Sequence, residues 1–338
     1  MNLSRYTQIV HNQKHLPMET KTKKGIAGKA MVKELIWSLQ GSDVSSGKNQ
    51  DQVLELGGLN YQIAKDTVEV RGKTVGGFYS VVRTDTDDVF GIVRGRWKPI
   101  QNHDVFVFYD EFVQSSGGRY SHAGSINNGE IPWIVADSKK TAKIATLDID
   151  FYSIVIMRHD GDHSTRVMFL PVQRNSNSIL LAATHGENFM AISHKDKYED
   201  IIELTKELND RQNDYIDHIY STFAKMKKSK VTEAEEIDFF YILVNGKKRS
   251  ASKVITVRME NKINAIIDYY FSHPSLDSVR GTLLGLFCAV CGYYQNIKDY
   301  QSRKEDHDEV EKKFRNLFVN GDKDEIMRSF SLANKMLK

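Results

Sequence analysis

Paired arginines, a tryptophan and a short amide run are the residues of this chain whose types and spacing best suit the chemistry of an anion. They lie between Val82 and Phe112, in VRTDTDDVFGIVRGRWKPIQNHDVFVFYDEF. The stretch from Val89 to Trp97 is predicted as a strand. Its period of two puts Phe90, Ile92, Arg94 and Arg96 on one face, and Gly91, Val93, Gly95 and Trp97 on the other. Arg94 and Arg96 are then expected roughly 6.6 Å apart, two strand rises, pointing the same way. Arg83 closes the preceding strand. Lys98 precedes Pro99, which ends the ladder because it lacks an N–H, and Gln101-Asn102-His103-Asp104 turns the corner into a helix. Guanidinium groups beside an indole, amides and an imidazole suit a planar anionic ligand. A surface strand with solvated arginines, and Gln101 or Asn102 capping the helix, would use the same residues.

A second polar block, Gln173-Arg174-Asn175-Ser176-Asn177-Ser178, follows a predicted strand and precedes the apolar run Ile179 to Ala183. Ser176 or Asn177 is expected to cap a helix there, and a helix N-terminus beside Arg174 would offer N–H groups to a phosphate. If Arg174 approaches Arg94 and Arg96, the two blocks line one groove, with Trp97, Tyr79 and Tyr120 as surfaces for base stacking.

Other signatures point elsewhere or nowhere. His159, Asp160, Asp162 and His163 are metal-ligand types, but a hairpin tip holds a rigid ligand shell poorly. His185, Glu187 and His194 would join them only if the fold brings them close. Gly25-Ile26-Ala27-Gly28-Lys29 has the wrong spacing for a phosphate loop and no strand before it, and there is no HExxH or GxSxG. Cys288 and Cys291 form the only CxxC, within an apolar run that reads as a buried helix. No resident cofactor is called for.

The ordered motifs resemble the phage/plasmid-like protein family, a domain of unknown function (932 type) found on phages, prophages and plasmids. The resemblance rests on Val82 to Thr86, Phe90 to Val93 and Trp97 to Asn102. It continues with Leu56 to Tyr61 upstream, then His159 to Gly161, Pro171 to Ser178, and Asn261 to His273 downstream. Trp97 stands where the family usually has tyrosine, and the cysteine of its proline-valine-arginine block is absent here. The family's activity is not settled, so the resemblance implies a setting on mobile elements and leaves the chemistry open.

The elements that must position these residues follow from pattern. At 338 residues, 40% apolar and 27% charged, the chain can bury a sizeable core. Its net charge of +3 says little, because nucleic-acid binding needs a basic patch and not a basic total. Basic residues do cluster, at Arg5 to Lys29, Lys225 to Lys230 and Lys247 to Arg249. Residues 1–50 are expected to form a polar, basic N-terminal segment, residues 51–175 a β-rich core, and residues 176–338 a helical region packing on or extending it. The fold class is α+β: an antiparallel β-rich N-terminal half with interspersed helices, then a helical C-terminal half. The longest near-apolar run, Gly281 to Tyr294, is too short for a bilayer span. Two thiols and no export signal predict a cytoplasmic protein with no membrane partner.

Together these readings predict a nucleic-acid-binding protein, and most specifically a homo-oligomeric single-stranded DNA-binding and annealing protein acting in recombination or replication. Its expected contacts are Arg83, Arg94, Arg96, Trp97, Lys98, Gln101, Asn102, Arg174, Asn175 and Asn177. A non-enzymatic module that binds another protein in host takeover or defence, and a metal-dependent nuclease or hydrolase using the histidine-rich turn, are the competing expectations.

Overall fold

The computed structural model describes residues 34–144, 146–161, 164–182, 189–192, 201–251, 255–300, 309–319 and 321–337. The first elements are α1 (Ile36–Gln40), β1 (Ser42–Asp43) and α2 (Gln50–Leu56). Next come β2 (Ile63–Val70), β3 (Lys73–Arg83), β4 (Val89–Arg94) and α3 (Asn102–Ser115). Strands β5 (Arg119–Ile126), β6 (Ile131–Ile144), β7 (Leu147–Ile156), β8 (Thr165–Gln173), β9 (Ser178–Ile179) and β10 (Phe189–Ile192) complete the β-rich part. Helices α4 (Ile201–Lys228), α5 (Glu233–Asn245), α6 (Val257–Ser272), α7 (Leu283–Gly292), α8 (Glu309–Phe318) and α9 (Asp322–Lys335) follow. The protein is therefore α+β, with antiparallel sheets first and helices after.

Two sheets divide the strands. The larger runs β1-β5-β6-β7-β8-β10, with β9 hydrogen-bonded to β8, and every pairing is antiparallel. It is covered on both sides, which is why β8 reads as a nearly unbroken apolar run. On one face Phe112 of α3 meets Phe169 at 6.3 Å between ring centres, and Phe169 meets Tyr215 of α4 at 5.9 Å. On the other, Trp37 of α1 lies 5.2 Å from Tyr152, and Phe314 of α8 lies 4.7 Å from Trp133.

The helical part is organised by α7. All ten of its residues are buried, including Cys288 and Cys291, and α4, α6 and α9 pack around it. Burial pushes the Cys288 thiol up to about 12, so both cysteines serve as small core residues. The apolar run from Gly281 to Tyr294 is a buried helix, as its composition predicts, with sharply set ends. Gly281, at φ +73°, and the N-cap Thr282 start α7, and the helix ends in a π-turn from Tyr293 to Ile297.

The smaller sheet, β2-β3-β4, stands apart from this double cover. One face meets the body: Ile63, Val81 and Val93 are buried, and Gly91 lies against the Asp160 carbonyl, where a Cβ would approach to 2.6 Å. The other face is open. Among the described residues no helix is long and apolar enough to cross a membrane.

Candidate functional site

Most of the polar residues in the first sequence block hold the small sheet to the rest of the protein. Gln101 clamps the backbone of Ile63, donating from Nε2 to its carbonyl at 2.9 Å and accepting from its N–H at 3.0 Å. Asn102 is 2% exposed; it donates to the Leu59 carbonyl at 2.9 Å, and its Oδ1 lies 2.8 Å from Nε2 of His159. Phe90 stacks on the His159 ring at 6.1 Å. Arg83 makes a two-pronged pair with Asp85 at 2.7 and 2.9 Å, donates to the Asn128 carbonyl at 2.9 Å and lies over the Tyr61 ring. Buried polar groups must find partners, and here the partners come from β2 and from segments that connect the strands. Arg83, Gln101 and Asn102 are thus engaged in structure, whatever else they touch.

Arg94 and Arg96 do not repeat on one strand face. The ladder ends at Arg94, and a hydrogen bond from the Trp97 N–H to the Arg94 carbonyl, 3.0 Å, closes a turn through Gly95 and Arg96. A bulge also intervenes: Val81 faces Gly91 but Val82 faces Val89, so Phe90 joins Gly91 on the inner face while Ile92 turns outward. Trp97 packs toward the turn at Gly161, where an added Cβ would lie 3.7 Å from its indole nitrogen. Lys65 fixes the same turn, donating to the carbonyls of Gly95 at 2.8 Å and Trp97 at 3.0 Å, with its ammonium 4.3 Å from the Tyr79 ring centre. Trp97 and Tyr79 are therefore inner packing groups. Tyr120 is buried and donates to Asp110 at 2.5 Å; burial, then this carboxylate, raises its pKa.

What remains outside is the face of Ile92 and Arg94, which the sequence reading expected, joined by Phe78, which it did not. Phe78 faces Arg94, and Ser80 faces Ile92, so these four share the outward side. Phe78 is 39% exposed, Ile92 55% and the neighbouring Val89 62%. The Arg94 guanidinium lies 5.4 Å from the Phe78 ring centre, within cation–π reach. Among the described residues no carboxylate pairs with Arg94, Arg96 or Lys98, and all three are exposed. Asp66 opposes Ser80 on the same side. Phe78 is presented by a second irregularity. Thr67 pairs with Tyr79 and Glu69 with Thr74, so Val68 alone opposes the four residues Val75 to Phe78. Gly76 and Gly77, the latter at φ +80°, make that excursion possible.

The second polar block lies elsewhere. Arg174 pairs with Asp150 in a two-pronged contact, one prong at 2.9 Å. Its neighbour Gln173 faces Ile149, seven residues along the ladder from the pair Ile156 and Arg166. That is about 24 Å of strand, and the Gly161 turn beside Trp97 lies beyond the far end. Arg174 thus does not join Arg94. No helix follows either: Ile179 pairs back with Val172 as β9, and Gln295 clamps its N–H and carbonyl at 2.8 Å each. The expected helix N-terminus, and the phosphate site built on it, do not exist. Asn175 accepts from Gln173 at 2.8 Å, and Asn177 takes a left-handed turn conformation at φ +48°.

His159 is buried and Asp160 pairs with Arg158, so neither is poised at an open tip. Asp162, His163, His185, Glu187, His194 and the N-terminal cations through Lys29 lie outside the described residues. Among those described, no group of three His, Cys, Asp or Glu side chains could hold a metal ion. Lys225, Lys228 and Lys230 are exposed at and just beyond the end of α4, beside a cavity of about 140 Å³ lined by Ser229, Lys230, Val231, Glu235, Leu283 and Met336. No nucleophile paired with a base lines it.

No curated protein and no solved structure is similar enough to this chain to match it. A family model, the domain of unknown function 932, matches residues 89–318. That span takes in β4, the large sheet except β1, and most of the helices; the motifs at Leu56 to Tyr61 and Val82 to Thr86 precede it. Covering more than half of the sequence, the match shows that this chain belongs to the domain of unknown function 932 family.

Proposed function

We propose that the protein binds single-stranded nucleic acid across the outward face of the small sheet, and that it works as a homo-oligomer in strand annealing during replication or recombination. One observation carries the reading: an exposed aromatic ring, Phe78, stands on an open antiparallel sheet with the Arg94 guanidinium 5.4 Å from its centre and no carboxylate on that arginine among the described residues. A free ring on an open sheet stacks an unpaired base, and flanking cations hold the backbone, in a way that tolerates any sequence. Arg94, Arg96 and Lys98 supply those cations. Annealing needs no cofactor, only a surface that holds strands with their bases accessible.

Fluorescence anisotropy with single-stranded oligonucleotides across a salt series tests this. Neutralising Z phosphates gives a log–log slope near −0.7Z, and Phe78→Ala is expected to weaken binding roughly five- to hundredfold, the equivalent of about 1–3 kcal/mol for one stacked base. Absence of salt-sensitive binding at about 50 mM salt overturns the proposal. The apolar exposure of Val89 and Ile92 on the same face favours a second reading, a docking surface for another protein. Recovery of one stoichiometric protein partner after nuclease treatment, with no oligonucleotide binding, would select it.

A further inference from the structure

Beyond the last rung shared by all three strands, β2 and β3 continue as a two-stranded arm. The three-stranded part ends where Thr67, Tyr79 and Val93 align. From there β2 runs on to Val70, three residues or about 10 Å, and the tip turns at Arg71-Gly72 before Lys73 pairs back with Val70. Glu69 to Thr74 are exposed throughout, and Val70 leaves 58% of its surface in water. The tip residues are exposed among the described residues, so the tip contributes little to the fold.

The turn itself is unusual in composition. Arg71 and Gly72 both have positive φ, +54° and +72°, the two-residue hairpin geometry that favours Asn-Gly. Arginine in the left-handed region is disfavoured, yet the tip puts one there, with Lys73 one residue past the turn. Neither cation has an ion pair among the described residues. Glu69 and Asp66 lie nearer the base of the arm. The charge thus becomes more positive toward the end that reaches past Phe78. An unfavourable backbone state kept at an exposed, solvent-borne position is an observation that points to function.

We infer that the arm is a second contact for the same polyanion, with Arg71 and Lys73 gripping backbone phosphates a few nucleotides beyond the base stacked on Phe78. The inference rests on the nucleic-acid reading and extends the site from one sheet face to a track. The arm lies upstream of the family-matched residues 89–318.

The test uses Arg71→Asn with Lys73→Thr in the full-length protein, a pair that restores the favoured Asn-Gly turn and is expected to leave the melting temperature unchanged. With a long oligothymidylate, the variant should lose about 1.4 from the magnitude of its log–log salt slope, two phosphates at about 0.7 each. With a dinucleotide, too short to span sheet and tip, its affinity should equal the parent's. An unchanged slope on the long strand overturns the arm proposal, and an unchanged slope with a lower sedimentation mass assigns the arm to self-association instead. If Phe78→Ala weakens binding while the arm variant does not, only the arm fails. If the parent binds neither oligonucleotide, the underlying reading fails and takes the arm with it.

Discussion

Trp133 in the large sheet is wholly covered, with Phe314 packed 4.7 Å from its ring, whereas Phe78 in the small sheet keeps 39% of its surface in water. Both rings sit on antiparallel strands, and both would bury well. The difference lies in what the chain supplies to cover them. Helices α1, α3, α4 and α8 close both faces of the large sheet, and its central stretches, Ile131 to Ala136, Ile154 to Ile156 and Val167 to Val172, are apolar on both sides accordingly. The small sheet is closed on one face only, and its attachments are polar and specific: Gln101 to Ile63, Asn102 to Leu59 and His159, Arg83 to Asn128. A scaffold and a presented surface are thereby separated within one fold. Substitutions in the first should unfold the protein, and substitutions on the outward face of the second should leave it folded.

That contrast can be broken at several points. Trp133→Ala should cost about 3–5 kcal/mol, the range for deleting a buried tryptophan or phenylalanine, read by chemical denaturation; a loss under about 1 kcal/mol would show that the large sheet is not the core it is described as. Asn102→Ala removes the partner of the buried Leu59 carbonyl and one partner of His159. Its expected cost is about 1–3 kcal/mol, with the small sheet loosening first, visible as faster amide exchange in β2 than in β7. Phe78→Ala and Arg94→Ala should each change stability by no more than about 0.5 kcal/mol. If either melts like Asn102→Ala, the open face is structural and the comparison fails.

The smallest effect concerns pH. Glu236 is buried in the helical part and accepts from the Tyr270 hydroxyl at 2.6 Å. Burial is the largest influence on its carboxyl and raises its pKa above the usual carboxylate value, against the opposing hydrogen bond. A group bound more tightly to its proton when folded favours the fold at low pH and loses that contribution as pH rises through the raised value. Glu236→Gln keeps an acceptor for Tyr270 without the charge. The melting temperature of the variant relative to the parent should therefore be higher at pH 7 than near pH 4. A constant difference across that range would mean that the carboxyl titrates normally.

Much of this architecture was legible in the residues. The Asp160-Gly161 turn between two β-type runs marked the β7–β8 hairpin, the 3.6-residue rhythm from Ile201 to Phe223 marked the long α4, and the apolar run around Cys288 marked a buried helix. The candidate site was legible in part. Residue types drew attention to Arg94, Arg96 and Lys98, which are exposed, but period two misplaced Arg96 because the ladder stops two residues before it. Phe78 was hidden because its exposure depends on two bulges, and a bulge is a statement about register between strands rather than about either strand. A positive signal existed: Gly76-Gly77 before Phe78 inside a strand pattern is a mark of irregular pairing. The expected helix after Ser178 failed for a tertiary reason. Ile179 faces Val172 in the ladder, and both its N–H and its carbonyl are taken by the Gln295 side chain, which comes from 116 residues away. Arg174 matched a binding residue by type and proved to be the partner of Asp150.

The most direct measurement is photocrosslinking of a single-stranded oligonucleotide carrying a halogenated uracil, followed by mapping of the modified peptides. Stacking on the open sheet predicts adducts on the peptide containing Phe78 and a loss of those adducts in Phe78→Ala. Adducts confined to the lysines at the end of α4, or none at all on β3 and β4, would contradict it.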